Sequence, residues 1–436
     1  MKKTICLNMI VKDEIKNIRR LFKSLHEVVD YYVIHDTGST DGTQGLIKEV
    51  MDGYDISGEI IEEEWVNFGV NRQKALQSVI NCNFNPDYLL WIDADEELYF
   101  DNLKWFDNLT KDCYNIKRVY GSVEYYNPHL IRINNNNDIG WNWKGPVHNY
   151  LSRKNRYILE NVDKNEVHIK SYCHGGAKSH NVTNEEKYLR DAKLLLEHLK
   201  ENPNDPRSLF YLGQSYKDAG KIEESIKWYK KRLNVGGWNQ EKYMSCYNIG
   251  NLLRKIGKKE EAYYYYLMSY EYDNSRYECF YEMIKLNRID GNKNLAYSLY
   301  KQLKPIKVNS GKLFLTSSIH EWKLDYELSI IAYYNNAYQE GIDAFKRLFK
   351  CKTVSIDMIS NIAKNFRFYQ KFIKPEDKEE IENLKKSFIK QYFTSKTEKS
   401  MTDEVKNEVK KEVEKEIESH IEEKQGVKLT VTEKIN

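Results

Sequence analysis

The chain has 436 residues, 41% of them hydrophobic, and Lys+Arg 68 against Asp+Glu 65 leave a formal net charge of only +3. That length fits about two to three domains with real cores, and so balanced a charge excludes a polyanion-binding protein and leaves nucleic acid out as a main partner. No stretch approaches the roughly 18 apolar residues of a membrane span, and the 7 cysteines have neither CxxC nor Cys/His spacing for zinc, so reduced thiols in a soluble, cytoplasmic protein are expected.

Thr4–Val11 reads as a continuous apolar strand; Lys12-Asp13-Glu14 ends the run too early for a signal peptide, and no small-residue cleavage site follows. Asp13–Val29 carries Ile15, Ile18, Leu21, Phe22 and Leu25 at helical spacing. A strand Tyr31–His35 breaks at Asp36-Thr37-Gly38-Ser39-Thr40-Asp41-Gly42-Thr43; a short helix Gln44–Met51, a strand Glu59–Glu63, a helix Arg72–Ile80 and a strand Tyr88–Ile92 follow. Strand and helix in alternation predict an α/β, Rossmann-like, mostly parallel sheet covered on both faces, with ligands at the carboxyl ends of its strands. Asp36 and Asp93 both stand at such ends.

The strand Tyr88–Ile92 runs into Asp93-Ala94-Asp95-Glu96-Glu97. In extended geometry Asp93 and Asp95 point the same way, and two hard oxygen ligands suit Mn²⁺ or Mg²⁺ shared with the phosphates of a substrate. The bland alternative is a solvated acidic turn. An ion there would neutralise a departing diphosphate, and Arg72, on the preceding helix, would add charge-assisted hydrogen bonds to phosphate.

Asn8-Met9-Ile10-Val11-Lys12-Asp13-Glu14, Asp36 to Thr43, Phe68 to Leu76 with Arg72, and Asp93-Ala94-Asp95-Glu96 resemble, in order and spacing, the motifs of family 2 glycosyltransferases of the GT-A fold. The resemblance implies a nucleotide-sugar site in which Asp36 holds the base or ribose, Asp93 the ribose or the metal, and Asp95 the metal on the diphosphate. Further on, Val119–Tyr126 and Leu130–Ile133 read as strands, and a polar turn Asn134–Asp138 leads into Ile139–Asn149. Trp141 and Trp143, set among Gly and Pro, are expected in a sugar-facing acceptor loop, because indole faces pack on the C–H faces of pyranose rings; a hydrophobic lid is the alternative.

In the repeat-bearing branch of the family an Arg-bearing strand, a Trp or Gly loop and a Val-His-Glu tripeptide occupy this region, and Arg132, Trp143, Gly145, Val147 and His148 resemble that pattern. The resemblance adds Arg132 to the donor site and makes His148 a candidate metal ligand, with a diphosphate contact or a loop carbonyl as its alternatives. Asn149 stands where the family has Glu, and Asn is no proton acceptor at neutral pH. Glu96 therefore ranks first as catalytic base because it adjoins the metal pair, ahead of Glu97 and Glu124. His168, His174-Gly175-Gly176 and His180 resemble the segment that closes such domains and lack the spacing of a zinc site.

After Asn181 the pattern turns helical. Asn184–Lys200 is amphipathic, and Leu212-Gly213, Tyr216, Gly220, Ser225 and Tyr229 recur as Ile249-Gly250, Leu253, Gly257, Ala262 and Tyr266. The step is 37 from Gly213 to Gly250 and 34 from Ala262 to Ala296, a period that signals tetratricopeptide (TPR) helix pairs with a concave binding face. Ala296, Tyr300 and Leu303 carry a third unit, and Gly341, Phe345 and Leu348 a fourth. Tyr263 to Tyr266 suggest an aromatic groove for a protein partner. From Lys374 the chain is highly charged, with Val405, Val409, Val413, Ile417 and Ile421 on one narrow stripe, and is expected to be a solvated helical tail.

These readings give a GT-A catalytic domain at 1–180, an all-α TPR-like domain at 181–373 and a charged extension at 374–436. The expected activity is metal-dependent, Mn²⁺ or Mg²⁺, transfer of a sugar from a nucleotide-diphosphate donor, with UDP-sugars first, to a peptide/protein or saccharide acceptor. The resemblance adds inversion at the anomeric carbon, and the order of domains resembles that of peptide S-glycosyltransferases. The alternative is an inactive, glycosyltransferase-like TPR scaffold that binds a protein partner.

Overall fold

The structure, a computed structural model, describes residues 3–121, 123–133, 140–172, 183–305 and 312–397. The turn Asn134–Asp138, the cluster His174-Gly175-Gly176 with His180, and the stripe Val405 to Ile421 lie outside them. The chain divides into two compact units, one built on Met1–Tyr265 and the other on the chain from Tyr266 onward.

The first unit opens with β1 (Ile5–Val11), α1 (Ile15–Leu25), β2 (Tyr31–Asp36), α2 (Thr43–Gly53), β3 (Ser57–Glu62), α3 (Phe68–Asn81) and β4 (Tyr88–Trp91). It continues with β5 (Glu96–Phe100), β6 (Cys113–Tyr120), β7 (Val123–Arg132), β8 (Trp141–Lys144), β9 (Tyr150–Arg153), β10 (Leu159–Asn161) and β11 (Val167–Ser171). Strands β3, β2, β1 and β4 are parallel neighbours in that order. Beyond β4 the order runs β7, β6, β11, β5, with antiparallel pairing at β4/β7, β7/β6 and β11/β5. The sheet is thus parallel on one side and mixed on the other. Where Val119–Tyr126 reads as one strand, the chain turns at Gly121 to make the β6/β7 hairpin.

The two faces of the sheet alternate with the residue period. Leu7, Met9, Ile34 and Leu90 pack with Ile18, Leu21, Phe22 and Ile47 of α1 and α2. Cys6, Val33, Leu89 and Trp91 pack with Leu76 and Val79 of α3 and with Trp141 and Trp143 of β8. Each such large side chain, once buried, contributes about 1.5–3 kcal/mol. The order of β1 between β2 and β4 makes a topological switch point there, and such crevices collect ligands.

Helices α4 (Asn184–Glu201), α5 (Pro206–Asp218), α6 (Ile222–Leu233) and α7 (Asn239–Lys255) follow, then α8 (Lys259–Tyr272). Thr183 and Glu186 form a capping box on α4, and Asp205 caps α5 ahead of Pro206. A Cβ at Gly213 would crowd the Tyr229 ring at 2.7 Å, which is why the repeat carries glycine where its helices cross. The compact unit that holds the sheet therefore runs on through the first helix pairs; the last described strand ends at Ser171 and the first of these helices begins at Asn184.

The second unit contains α9 (Glu278–Ile289), α10 (Lys293–Lys301), α11 (Leu324–Tyr334), α12 (Tyr338–Lys350), α13 (Ile356–Phe366) and α14 (Lys378–Thr397). Gly341 packs against Tyr369. Of Tyr263 to Tyr266, Tyr266 is fully buried and Tyr264 is 60% exposed, so the run is partly core. The charged extension begins otherwise than as a solvated tail: Ile381 and Phe388 of α14 are fully buried in one core with Phe345, Phe349 and Phe366, because apolar residues seven apart fall on the same helix face.

Candidate active site

Three loops converge at the carboxyl ends of β1, β2 and β4. The loops after β1 and β2 are stitched together: the Asp13 N–H donates to Ser39 Oγ at 2.9 Å, the Thr40 N–H to Asp13 Oδ1 at 2.8 Å, and the Glu14 N–H to Thr43 Oγ1 at 2.8 Å. Asp36, the last residue of β2, is fully buried. Its Oδ1 accepts the N–H groups of Gly38 at 2.9 Å and Ser39 at 2.7 Å, while its Oδ2 is buried with no partner among the described residues. It lines a cleft of about 610 Å³ together with Gly38, Thr40, Gln44, Glu62 and Glu64. A fixed carboxylate with one oxygen left over keeps an acceptor free for an N–H or O–H group.

Strand β4 ends at Trp91, and Asp93–Glu96 form a turn rather than an extended run, closed by the Glu96 N–H donating to Asp93 O at 3.1 Å. Glu96 Oε2 in turn accepts the Asp93 N–H at 3.0 Å. Both oxygens of Asp93 face arginines. Arg72 donates to Oδ1, and Arg118 lies 3.5 Å from Oδ2. Arg72 also donates to Asn149 Oδ1 at 2.9 Å and is held between the rings of Trp91 at 4.8 Å and Trp143 at 5.1 Å. Its guanidinium is thus committed to the turn. His129, fully buried, stacks on Trp91 and hydrogen-bonds Trp91 O at 2.9 Å through Nδ1; burial pushes it down to about 3.

Asp95 has no ion-pair partner among the described residues. Burial raises its carboxyl and the charge of Asp93 adds to this, against the pull of Arg118 and Arg20. Glu14, at the start of α1, is raised to about 7 by burial and by Asp95, Asp93 and Asp41, against a hydrogen bond from Asn17. Asp95 and Glu14, unlike Asp93, have no ion pair among the described residues, and carboxylate oxygens of this kind suit a hard divalent ion. Among the described residues no group of three or more His, Cys, Asp or Glu side chains is placed to hold a metal ion.

The other sequence-derived residues divide. His148 is exposed and its ring stacks on Tyr211 at 4.1 Å. Arg132 hydrogen-bonds Tyr88 Oη at 3.0 Å and Thr110 O; Tyr88 begins β4, so Arg132 sits at the opposite end of the sheet from the donor site expected for it. Trp141 and Trp143, expected on a sugar-facing loop, are on strand β8 and only 2% and 9% exposed, because alternate residues of that strand face the core under α3. Glu96 is fully buried and ion-paired with Arg118; burial lifts its carboxyl to about 8 against the pull of Arg118, with Asp93 adding to the rise. That placement makes it a brace of the turn and keeps it from an acceptor. Glu97 accepts from Tyr99 and Tyr172, and Glu124 pairs with Lys164 and Lys117.

Arg118 escaped the sequence reading. The signal was an arginine in phase with Tyr114 and Ile116 on a strand face that is otherwise apolar.

With this geometry in place, residues 6–177 match the model of Glycosyl transferase family 2. The α/β part is a family 2 glycosyltransferase domain. The SPbeta prophage-derived glycosyltransferase SunS of Bacillus subtilis and the glycosyltransferase SunS of Bacillus phage SPbeta are each 27% identical to this chain over 242 residues, 53% of this chain and 53% of the relative. The chain thus spans about half the length of these curated relatives. A TPR repeat-containing protein of Synechococcus elongatus is 30% identical over 98 residues, 22% of each chain. Among solved structures, the C-terminal part of a TPR repeat-containing protein from Cytophaga hutchinsonii is similar at 18% identity, covering 48% of this chain and 73% of that one, with a TM-score of 0.34.

Proposed function

We propose that this chain is a metal-dependent glycosyltransferase that moves a sugar, with inversion, from a nucleotide-diphosphate donor, UDP-sugars first, to a peptide/protein or saccharide acceptor. The observation that carries this is the leftover Oδ2 of Asp36 in its cleft, together with Asp95, which has no ion pair of its own among the described residues. The match to the family 2 model over residues 6–177 supports it. Asp36 accepts a nucleoside N–H or O–H, and Asp95, with Asp93 beside it, would hold Mn²⁺ or Mg²⁺. That ion supplies neutralisation of the departing diphosphate. Arg72 and Arg118 keep Asp93 in one orientation, so the turn needs no rearrangement as charge develops.

The six cysteines among the described residues are free thiols, which suits a reducing, cytoplasmic setting, and none of the described helices is long and apolar enough to cross a membrane. The test is release of nucleoside diphosphate from a panel of sugar nucleotides with and without Mn²⁺ or Mg²⁺. Metal-dependent release from at least one donor is expected; no release from any of them would leave the partner-binding scaffold as the better reading.

A further inference from the structure

The first repeat helix reaches the site through a short chain of contacts. Arg207, in the first turn of α5, donates from Nε to the carbonyl oxygen of His148 at 3.0 Å. Its guanidinium lies over Tyr150 at 4.7 Å and over Tyr211 at 4.9 Å, and Nη1 is 3.8 Å from Glu241 Oε1. Glu241 is itself fixed by the fully buried Arg232, whose Nε donates to Oε2 at 3.0 Å. On the helical side Arg207 is therefore anchored.

On the other side His148 has φ +48°, a left-handed conformation that a non-glycine residue keeps only where its surroundings impose it. The next residue, Asn149, accepts from Arg72 Nη1 at 2.9 Å, and Arg72 Nη2 donates to Asp93. The turn carrying His148 is also wedged against α3, since a Cβ at Gly69 would overlap the Gly145 carbonyl oxygen. We propose that Arg207 is a positioning residue: through the His148–Asn149 backbone and Arg72 it sets the orientation of Asp93 and hence of the Asp93–Glu96 turn.

Asn149 then has a role that suits its chemistry. A neutral acceptor holds Arg72 in place without competing with Asp93 for its charge, as a carboxylate at 149 would. The first repeat is on this view part of the reaction machinery.

The assignment rests on the glycosyl-transfer reading, and the experiment separates the two. In the full chain, Arg207→Ala is expected to lower kcat of metal-dependent donor hydrolysis by about tenfold with donor KM nearly unchanged, as a small displacement of a positioned group does. Arg207→Lys, which keeps the charge facing Glu241 but loses the Nε donor, is expected to lose as much. In an Arg72→Ala background Arg207→Ala should add less than about twofold, because both act on one path. As a readout independent of turnover, the ¹⁹F resonance of fluorotryptophan at Trp143, assigned with Trp143→Phe, should move in Arg207→Ala and in Asn149→Ala. An unmoved resonance, or a loss that multiplies in full on Arg72→Ala, overturns the path. A wild-type chain that releases no nucleoside diphosphate overturns the glycosyl-transfer reading, while the Trp143 resonance still decides the path.

Discussion

Buried carboxylates meet opposite fates in the α/β part and in the unit from Tyr266 onward. At the strand ends, burial and the mutual charge of Glu14, Asp93 and Asp95 raise Glu14 to about 7 and raise Asp95 as well. In the helical unit Glu278 is hidden more deeply than these half-buried groups, yet hydrogen bonds from His320 and Arg276 overcome its burial and hold it down to about 2. Glu327 likewise meets Arg288. Glu278 and Glu327 are thus paired with arginines as they are buried. At the strand ends Glu14 and Asp95 have no such pair among the described residues, an arrangement that costs stability and is found where a ligand supplies the missing charge.

The largest expected effects test both halves of that contrast. Asp95→Ala should reduce metal-dependent donor hydrolysis by about 10²–10³-fold while the melting temperature holds or rises, since a repelled charge is removed; full activity would end the metal role. Glu278→Ala should do the reverse, lowering stability by about 3–5 kcal/mol in denaturant titrations by removing the buried carboxylate that faces Arg276, with donor hydrolysis intact. If turnover falls in step with Asp95→Ala, the scaffold half of the contrast is wrong.

Smaller effects sharpen the site itself. Asp36→Asn replaces the leftover acceptor by a donor and should weaken donor binding by about 1–3 kcal/mol, read as donor KM or by calorimetry. Trp141→Phe should cost about 1–2 kcal/mol of stability and leave acceptor KM unchanged, since the indole is core; a selective rise in acceptor KM would restore the sugar-facing loop. A further effect is a pH slope. Glu14 binds its proton more tightly folded than unfolded, so its contribution to stability falls as pH rises from about 4.5 to about 7. Glu278 binds its proton less tightly folded, so its contribution is full above about 4.5 and is lost as pH falls towards about 2. Melting curves of Glu14→Gln in chelator should lose the first slope and keep the second.

Sequence alone determined what period and punctuation determine. Alternation of strand and helix placed Asp36 and Asp93 at strand ends, the 34-residue step marked the helix pairs, and the four motifs named the family that the match over residues 6–177 bears out. These features are local, because residue period and turn chemistry act within one element and its neighbours.

Only the tertiary structure decided which distant side chains meet. Strand β6 carries Arg118 to the turn, and the return strand β7, antiparallel to β4, takes Arg132 away from it to Tyr88. Strand phase turned Trp141 and Trp143 inward, and burial against Arg118 made Glu96 a brace. Arg207, separated by about 100 residues from the turn it touches through Arg72, has no local signal at all. Such partnerships depend on strand order and register, which a linear pattern does not encode.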